Sequence, residues 1–322
     1  KTNSSGIGIM IRDLFGSVTK NKEGIKIIVP KDSPPFPAGN GTEMLLIPYG
    51  YKQNIRRILY QTFVLGRKYC KDAVLLTTDS KTPFFLPRSC WLIPVITDLG
   101  LYCIPEAYQL SRIVWWRSQF RYLKRRANFF IAVSQFTKAE MTRVLGIDPG
   151  KIYVVPCACR DELHRIEDNM ILDAMRMKYH IPDGYFLFVG SNNPRKNIHR
   201  LLQAFDKAKQ QGITQQLIIA GECGWKFNRE EVLQGIRNRD AITFIGYVPD
   251  EDMAALYSAS DGLLFPTLYE GFGIPVIEAQ KCGTPVLTSN RSSLPEVGGD
   301  GALYVDPYDV EDICQGILKL YK

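Results

Sequence analysis

The sequence predicts an α/β protein built from two doubly wound, mostly parallel sheets, and three observations lead to that prediction. Short apolar, β-branched runs alternate with helical stretches along most of the chain. The alternation lapses once, in a polar stretch around Cys159 to Pro182, and then restarts. At 322 residues the chain is long enough for two cores of ordinary size. Parallel neighbours need a crossover between them and a helix is the usual one, so strand and helix in alternation imply a parallel sheet. The lapse is the expected junction, giving domains at residues 1–162 and 163–322.

Each element follows in order. Residues Lys1 to Gly8 read as a polar loop opening a helix through Leu14 and Phe15, without the apolar segment of a signal peptide. Strands are expected at Ile25 to Pro30, Met44 to Pro48, Ala73 to Thr78, Trp91 to Thr97, Phe129 to Val133 and Ile152 to Val155. Helices are expected at Asn54 to Tyr69 and at Thr137 to Leu145, the latter capped by Ser134. Asp32 to Gly41 is a Pro- and Gly-rich loop. The second set of strands falls at Tyr185 to Gly190, Gln216 to Gly221, Ile242 to Gly246, Gly262 to Phe265, Val286 to Ser289 and Leu303 to Val305, with a last helix from Val310.

Composition narrows the function classes. An apolar fraction of 45% with 23% charged residues is that of a globular protein, and no apolar run approaches membrane-spanning length. The net charge of +7 is uneven: residues 1–180 hold 27 Lys plus Arg against 15 Asp plus Glu, the remainder 13 against 18. A basic half points to an anionic partner, whether phosphate-bearing acceptor, lipid surface or nucleic acid. The eight cysteines include no Cys-x-x-Cys pair and only three histidines accompany them, so they read as free thiols in a reducing compartment rather than a zinc site. Neither a phosphate-binding Gly-x-x-x-x-Gly-Lys-Ser/Thr loop nor a dinucleotide Gly-x-Gly-x-x-Gly fingerprint is present, and His164, His180 and His199 lack a hydrolase setting.

The chemistry concentrates in Phe265 to Glu278. Glu270 and Glu278 stand eight positions apart with Gly271, Phe272 and Gly273 between them and Pro275 in the first turn of an expected helix. Glycines before a helix start free backbone N–H groups to face an anion. The preceding run, Gly262 to Phe265, puts Glu270 in the loop after a strand, the edge where parallel sheets bind ligands. Arg195 and Lys196 also follow a strand and glycine, through an Asn-Asn-Pro turn.

On these residues the chain resembles family 4 of the retaining, GT-B-fold nucleotide-sugar glycosyltransferases. Glu270-Gly-Phe-Gly-Ile-Pro-Val-Ile-Glu278 is similar to the family's Glu-x7-Glu signature. Phe188-Val-Gly190, Pro194-Arg-Lys-Asn197, Phe244 to Asp250, Leu256 to Asp261, Cys282 to Val286 and Ser293-Leu-Pro-Glu-Val297 resemble it in the same order. The resemblance is specific from about Phe186 to Leu320.

It implies two Rossmann-like domains facing a cleft, with a strand ahead of Lys1 and a final helix after Lys322 that this sequence does not contain. It implies that Lys196 and Arg195 hold the donor diphosphate, that Glu278 accepts from the ribose hydroxyls, and that Glu270 faces the hexose. The backbone of Gly271, Phe272, Gly273 and Ile274 would face sugar and phosphate, and Gly6 and Gly8 the donor phosphate from the first domain. Asp98, in Ile93 to Leu99, corresponds to a family His-Asp segment and is an acceptor-side base or, equally, a turn cap; Thr97 replaces the histidine. Ser191 stands where many relatives carry an arginine. Catalysis is thus assigned to Glu270, Asp98 and Lys196. The expected donor is GDP-, UDP-, ADP- or dTDP-linked, with GDP-mannose preferred because Pro194 to Asn197 and Ser293 to Val297 resemble that branch. The acceptor is a glycan or lipid-linked. A non-catalytic nucleotide-sugar-binding subunit and a synthase for a small soluble acceptor stay open.

Asp250-Glu-Asp252 is similar to the Asp-x-Asp metal motif of another glycosyltransferase fold, but it precedes the helix pattern Met253 to Tyr257, where first-turn acids serve the helix. No metal and no cofactor are expected, and without a recognisable motif no nucleic acid. From Arg112 to Phe130 six cations are interleaved with aromatics and no acid. Trp115, Tyr122 and Phe129 recur at seven-residue spacing and are the expected core stripe of that helix. Arg117, Arg121, Lys124, Arg125 and Arg126 are then placed to rest on anionic lipid. The setting expected is cytoplasmic, peripheral on the inner face of a membrane.

Overall fold

A computed structural model describes residues 25–31, 42–49, 54–78, 82–222 and 228–322. Gly6, Gly8, the opening helix, the loop Asp32 to Gly41 and Cys223 lie outside the described residues. The chain divides into two compact units, Lys1–Tyr102 with Gln109–Ala158, and Cys103–Tyr108 with Cys159–Lys322.

In the first unit β1 (Lys26–Pro30) and β2 (Glu43–Ile47) pair in parallel. A second, four-stranded parallel sheet runs β3 (Val74–Thr78), β4 (Trp91–Ile96), β5 (Phe130–Ala132), β6 (Ile152–Val154). The expected helix at Asn54 to Tyr69 is continuous but changes pitch, with a π-helical turn at Gln61–Leu65 inside it. Ser134 caps the helix Gln135–Leu145, its Oγ accepting from the Thr137 N–H at 3.0 Å, and Gly146 closes it in the left-handed region at φ 59°.

The helix Leu110–Arg126 corrects the expected stripe. Its buried side chains are Ile113, Gln119, Phe120 and Leu123, whereas Trp115 is exposed. Trp115 and Tyr122 are drawn aside by Phe84, which each meets edge-on, and Phe129 lies beyond the helix end against Trp91 and Tyr153. Arg126 is also spent inside the fold, donating to the carbonyls of Pro87 and Cys90 at 2.7 and 2.8 Å.

The second unit carries a six-stranded sheet in the order β12 (Ala302–Val305), β11 (Val286–Ser289), β10 (Gly262–Phe265), β7 (Tyr185–Val189), β8 (Gln216–Ala220), β9 (Ile242–Gly246). Every pairing is parallel. Strands such as Tyr185 to Phe188 and Gly262 to Phe265 are buried on both faces, which is why they read as unbroken apolar runs. Helices Ile198–Gln210 and Val310–Tyr321 pack together against the sheet through Leu201, Leu202, Phe205, Ile313 and Ile317. Two β-α series run outward from β7 and β10, so the strand order reverses between these neighbours, the position where doubly wound sheets open a ligand crevice at their C-terminal edge.

Candidate donor site at the strand-order reversal

The two strands at the reversal deliver the predicted residues together. β7 ends at Val189, and the chain turns through Gly190, Ser191, Asn192 and Asn193 into a 3-10 turn at Pro194–Lys196. Gly221, at φ 142°, lets the β8 end lie against this turn: a Cβ there would sit 2.0 Å from the Gly190 carbonyl oxygen. Asn197 ends the turn in the left-handed region at φ 60° and ties it to the other strand, its Nδ2 donating to the Pro266 and Pro307 carbonyls at 2.9 and 2.6 Å.

From β10 the chain runs through Pro266 to Glu270. Glu270 is buried and takes both cations: Arg195 Nη1 reaches its Oε2 at 2.7 Å and Lys196 Nζ its Oε1 at 2.7 Å. Burial pushes the Glu270 carboxyl up, but the two cations outweigh burial and hold it below its ordinary value. Lys196 Nζ also lies 4.6 Å over the Phe265 ring, whose electron-rich face attracts the cation.

The glycine loop is strapped from the next connection. Ser292 Oγ accepts from the Glu270 N–H at 3.2 Å, and Ser293 Oγ donates to the carbonyls of Glu270 and Phe272 at 2.9 and 2.8 Å. Gly273, at φ 106°, opens the helix Ile274–Lys281, with Pro275 in its first turn; a Cβ at Gly273 would meet Leu294 at 2.6 Å. The structure therefore brings Arg195, Lys196, Glu270 and Gly271 to Ile274 into one cluster at a helix N-terminus.

Glu278 has a different setting. Its Oε1 accepts from Arg160 Nε and Nη2 at 3.0 and 2.9 Å, and its Oε2 from the Tyr257 hydroxyl at 2.9 Å. Burial pushes its carboxyl up, and Arg160 and Tyr257 offset this only in part. Arg160 extends to Asp250 at 2.9 Å. Sequence reasoning missed Arg160 and Tyr257; an arginine beside Cys157 and Cys159 at an expected junction was the available signal.

Asp250, Glu251 and Asp252 lie in the first turn as expected, with Asp252 at the N-cap of Met253–Ser258, but the Asp252 side chain makes no capping hydrogen bond: it pairs with Lys178 and Tyr179, while Asp250 pairs with Arg160. Ser191, exposed, accepts from Asn193. Asn192 and Thr267, one on each crevice loop, each hold a buried side-chain oxygen without a hydrogen-bond partner among the described residues. Asp98 belongs to the first unit, and its Oδ1 accepts from the Gly100 N–H at 2.9 Å as a turn cap does.

The chain belongs to family 4 of the GT-B glycosyltransferases. Residues 5–163 match the family model described as Glycosyltransferase Family 4, and residues 175–322 that of Glycosyl transferases group 1. Among known proteins the chain is similar to the O-antigen chain mannosyltransferase B of Escherichia coli, 34% identical over 243 residues. That match covers 73% of this chain and 63% of the relative, so the chain spans under two thirds of that relative's length. Among solved structures it resembles the sucrose-phosphate synthase of Thermosynechococcus elongatus, with TM-score 0.75 and 19% identity, over 98% of this chain and 84% of that one. It also resembles HepE of Anabaena in complex with UDP and glucose, with TM-score 0.73 and 14% identity, over 99% and 87%.

Proposed function

We propose that the protein is a retaining, metal-independent glycosyltransferase that moves mannose from GDP-mannose to a glycan or lipid-linked acceptor. The observation that carries this is the Arg195–Lys196–Glu270 cluster, built at the strand-order reversal and beside a helix N-terminus. As a glycosidic bond to a nucleoside diphosphate breaks, negative charge grows on the leaving phosphate. Two cations and converging backbone N–H groups are the means of stabilising it, and charge-assisted bonds are worth roughly 1.5–3 kcal/mol each. Glu270 holds the cations in place before the donor arrives and faces the sugar once they turn to phosphate. Glu278, through Arg160 and Tyr257, fixes the floor beneath the ribose. Asp98 is proposed on the acceptor side.

Mannose is favoured by the O-antigen mannosyltransferase relative and by Pro194 to Asn197 and Ser293 to Val297. A UDP-linked donor is the alternative raised by the HepE complex. Among the described cysteines Cys70, Cys90, Cys159, Cys282 and Cys314 are free thiols, which supports a cytoplasmic setting, and a peripheral place on the inner membrane face belongs to the same reading. Among the described residues no helix is long and apolar enough to cross a membrane. The test is transfer of labelled mannose from GDP-mannose to an acceptor extract, with and without EDTA. Transfer unaffected by EDTA is expected. Transfer only from a UDP-sugar, or its loss in EDTA, overturns the respective part.

A further inference from the structure

The first unit turns apolar residues outward where an ordinary surface helix turns polar ones. Along Asn54–Tyr69 the exposed side chains include Ile55 at 76%, Leu59 at 51% and Phe63 at 48%, a ridge of residues four apart, with Ile58 and Val64 beside it. The buried side of the same helix is Thr62, Leu65 and Gly66, so the ridge is not the core face misplaced. The patch continues beyond the helix. Phe85, itself exposed, stacks on Phe63 at 5.5 Å, and the neighbouring Phe84 meets the exposed Trp115 edge-on at 6.0 Å.

Along this helix the charge has one sign. Residues 44–71 contain no Asp or Glu, and the exposed cations Arg56, Arg67 and Lys68 flank the ridge, with Arg67 lying 5.0 Å over the Phe85 ring. We propose that this ridge, with Phe85 and Trp115, is a docking surface for an anionic lipid bilayer, the apolar side chains entering the headgroup boundary and the cations meeting lipid phosphate. An outward apolar ridge flanked by Lys and Arg is the pattern of a helix lying in a membrane interface, and rings at its border suit the headgroup level. Two copies of the chain meeting here would oppose like charges, which disfavours self-association through this face. The inference deepens the peripheral part of the proposed function but stands on a different element from the basic helix Leu110–Arg126, whose Arg126 is engaged within the fold.

The test is co-sedimentation of the full chain with vesicles of phosphatidylcholine alone or mixed with phosphatidylglycerol, at low and high salt, with GDP binding measured on the same samples. Binding to the mixed vesicles is expected, weakened but not abolished by salt. Leu59→Gln with Phe63→Gln removes apolar burial and should reduce binding at least about tenfold at either salt. Arg67→Gln with Lys68→Gln should reduce it about fivefold per cation at low salt and little at high salt. These side chains are exposed, so unfolding temperature and nucleotide binding should be unchanged, which separates this inference from the donor reading. Absence of binding to mixed vesicles, or binding untouched by Leu59→Gln with Phe63→Gln, overturns it.

Discussion

Replacing Arg160 with Gln probes the buried floor of the proposed donor site. The Arg160 side chain is 5% exposed and joins Glu278, 4% exposed, to Asp250 through contacts of 2.9 to 3.0 Å. Removing it leaves the Glu278 carboxylate enclosed, with the Tyr257 hydroxyl donating to its Oε2. Breaking a buried pair from one side costs about 3–5 kcal/mol. For a folding unit of this size each kcal/mol moves the midpoint by about 2–4 °C, so the unfolding temperature is expected to fall on the order of 10 °C at neutral pH. Acid should relieve part of this. Burial already raises the Glu278 carboxyl, and Arg160 is the first cause opposing it, so in Arg160→Gln the group protonates more readily and the uncompensated charge disappears. Thermal unfolding of parent and variant between pH 5 and 8 measures the difference. A variant as stable as the parent, or a deficit equal at both ends of the pH range, would refute the role given to Arg160.

Three further predictions concern Glu270 and Asp98. Glu270→Gln keeps the shape of the side chain that holds Arg195 and Lys196 but removes its charge, so steady-state kinetics should show turnover depressed more than nucleotide affinity; equal loss in both contradicts its placement facing the sugar. The Glu270 carboxyl is held below its ordinary value, so its stabilising contribution is complete above the usual carboxylate range and is lost as pH falls through the lowered folded value, a dependence Glu270→Gln should remove. Asp98→Asn preserves an acceptor for the Gly100 N–H, so a pure turn cap predicts unchanged turnover and an acceptor-side base predicts a large loss with stability intact.

The fold was highly legible because buried parallel strands are short apolar runs bounded by glycines. All twelve predicted strands recur within two residues at either end, as in Tyr185 to Gly190 against Tyr185–Val189. The Arg195–Lys196–Glu270 cluster was legible for a related reason: both segments directly follow strands, and the strand order places those two ends side by side. What local pattern could not show is which distant side chain competes for a residue. Trp115 and Tyr122 have core spacing, yet Phe84 claims them, while Ile113 and Phe120 share that spacing and are buried. Arg160 and Glu278 are 118 positions apart, and nothing in either neighbourhood names the other. Likewise Asp250 and Asp252 have the sequence of helix caps but answer to Arg160 and Lys178.

The central claim is that Lys196 and Arg195 form the diphosphate site, and calorimetric titration of GDP, UDP, ADP and dTDP into parent and Lys196→Ala tests it most directly. Measurable binding to the parent is expected, tightest for GDP, and a loss of at least about tenfold in Lys196→Ala, equivalent to roughly 1.4 kcal/mol. A folded Lys196→Ala protein that binds these nucleotides as tightly as the parent would contradict it.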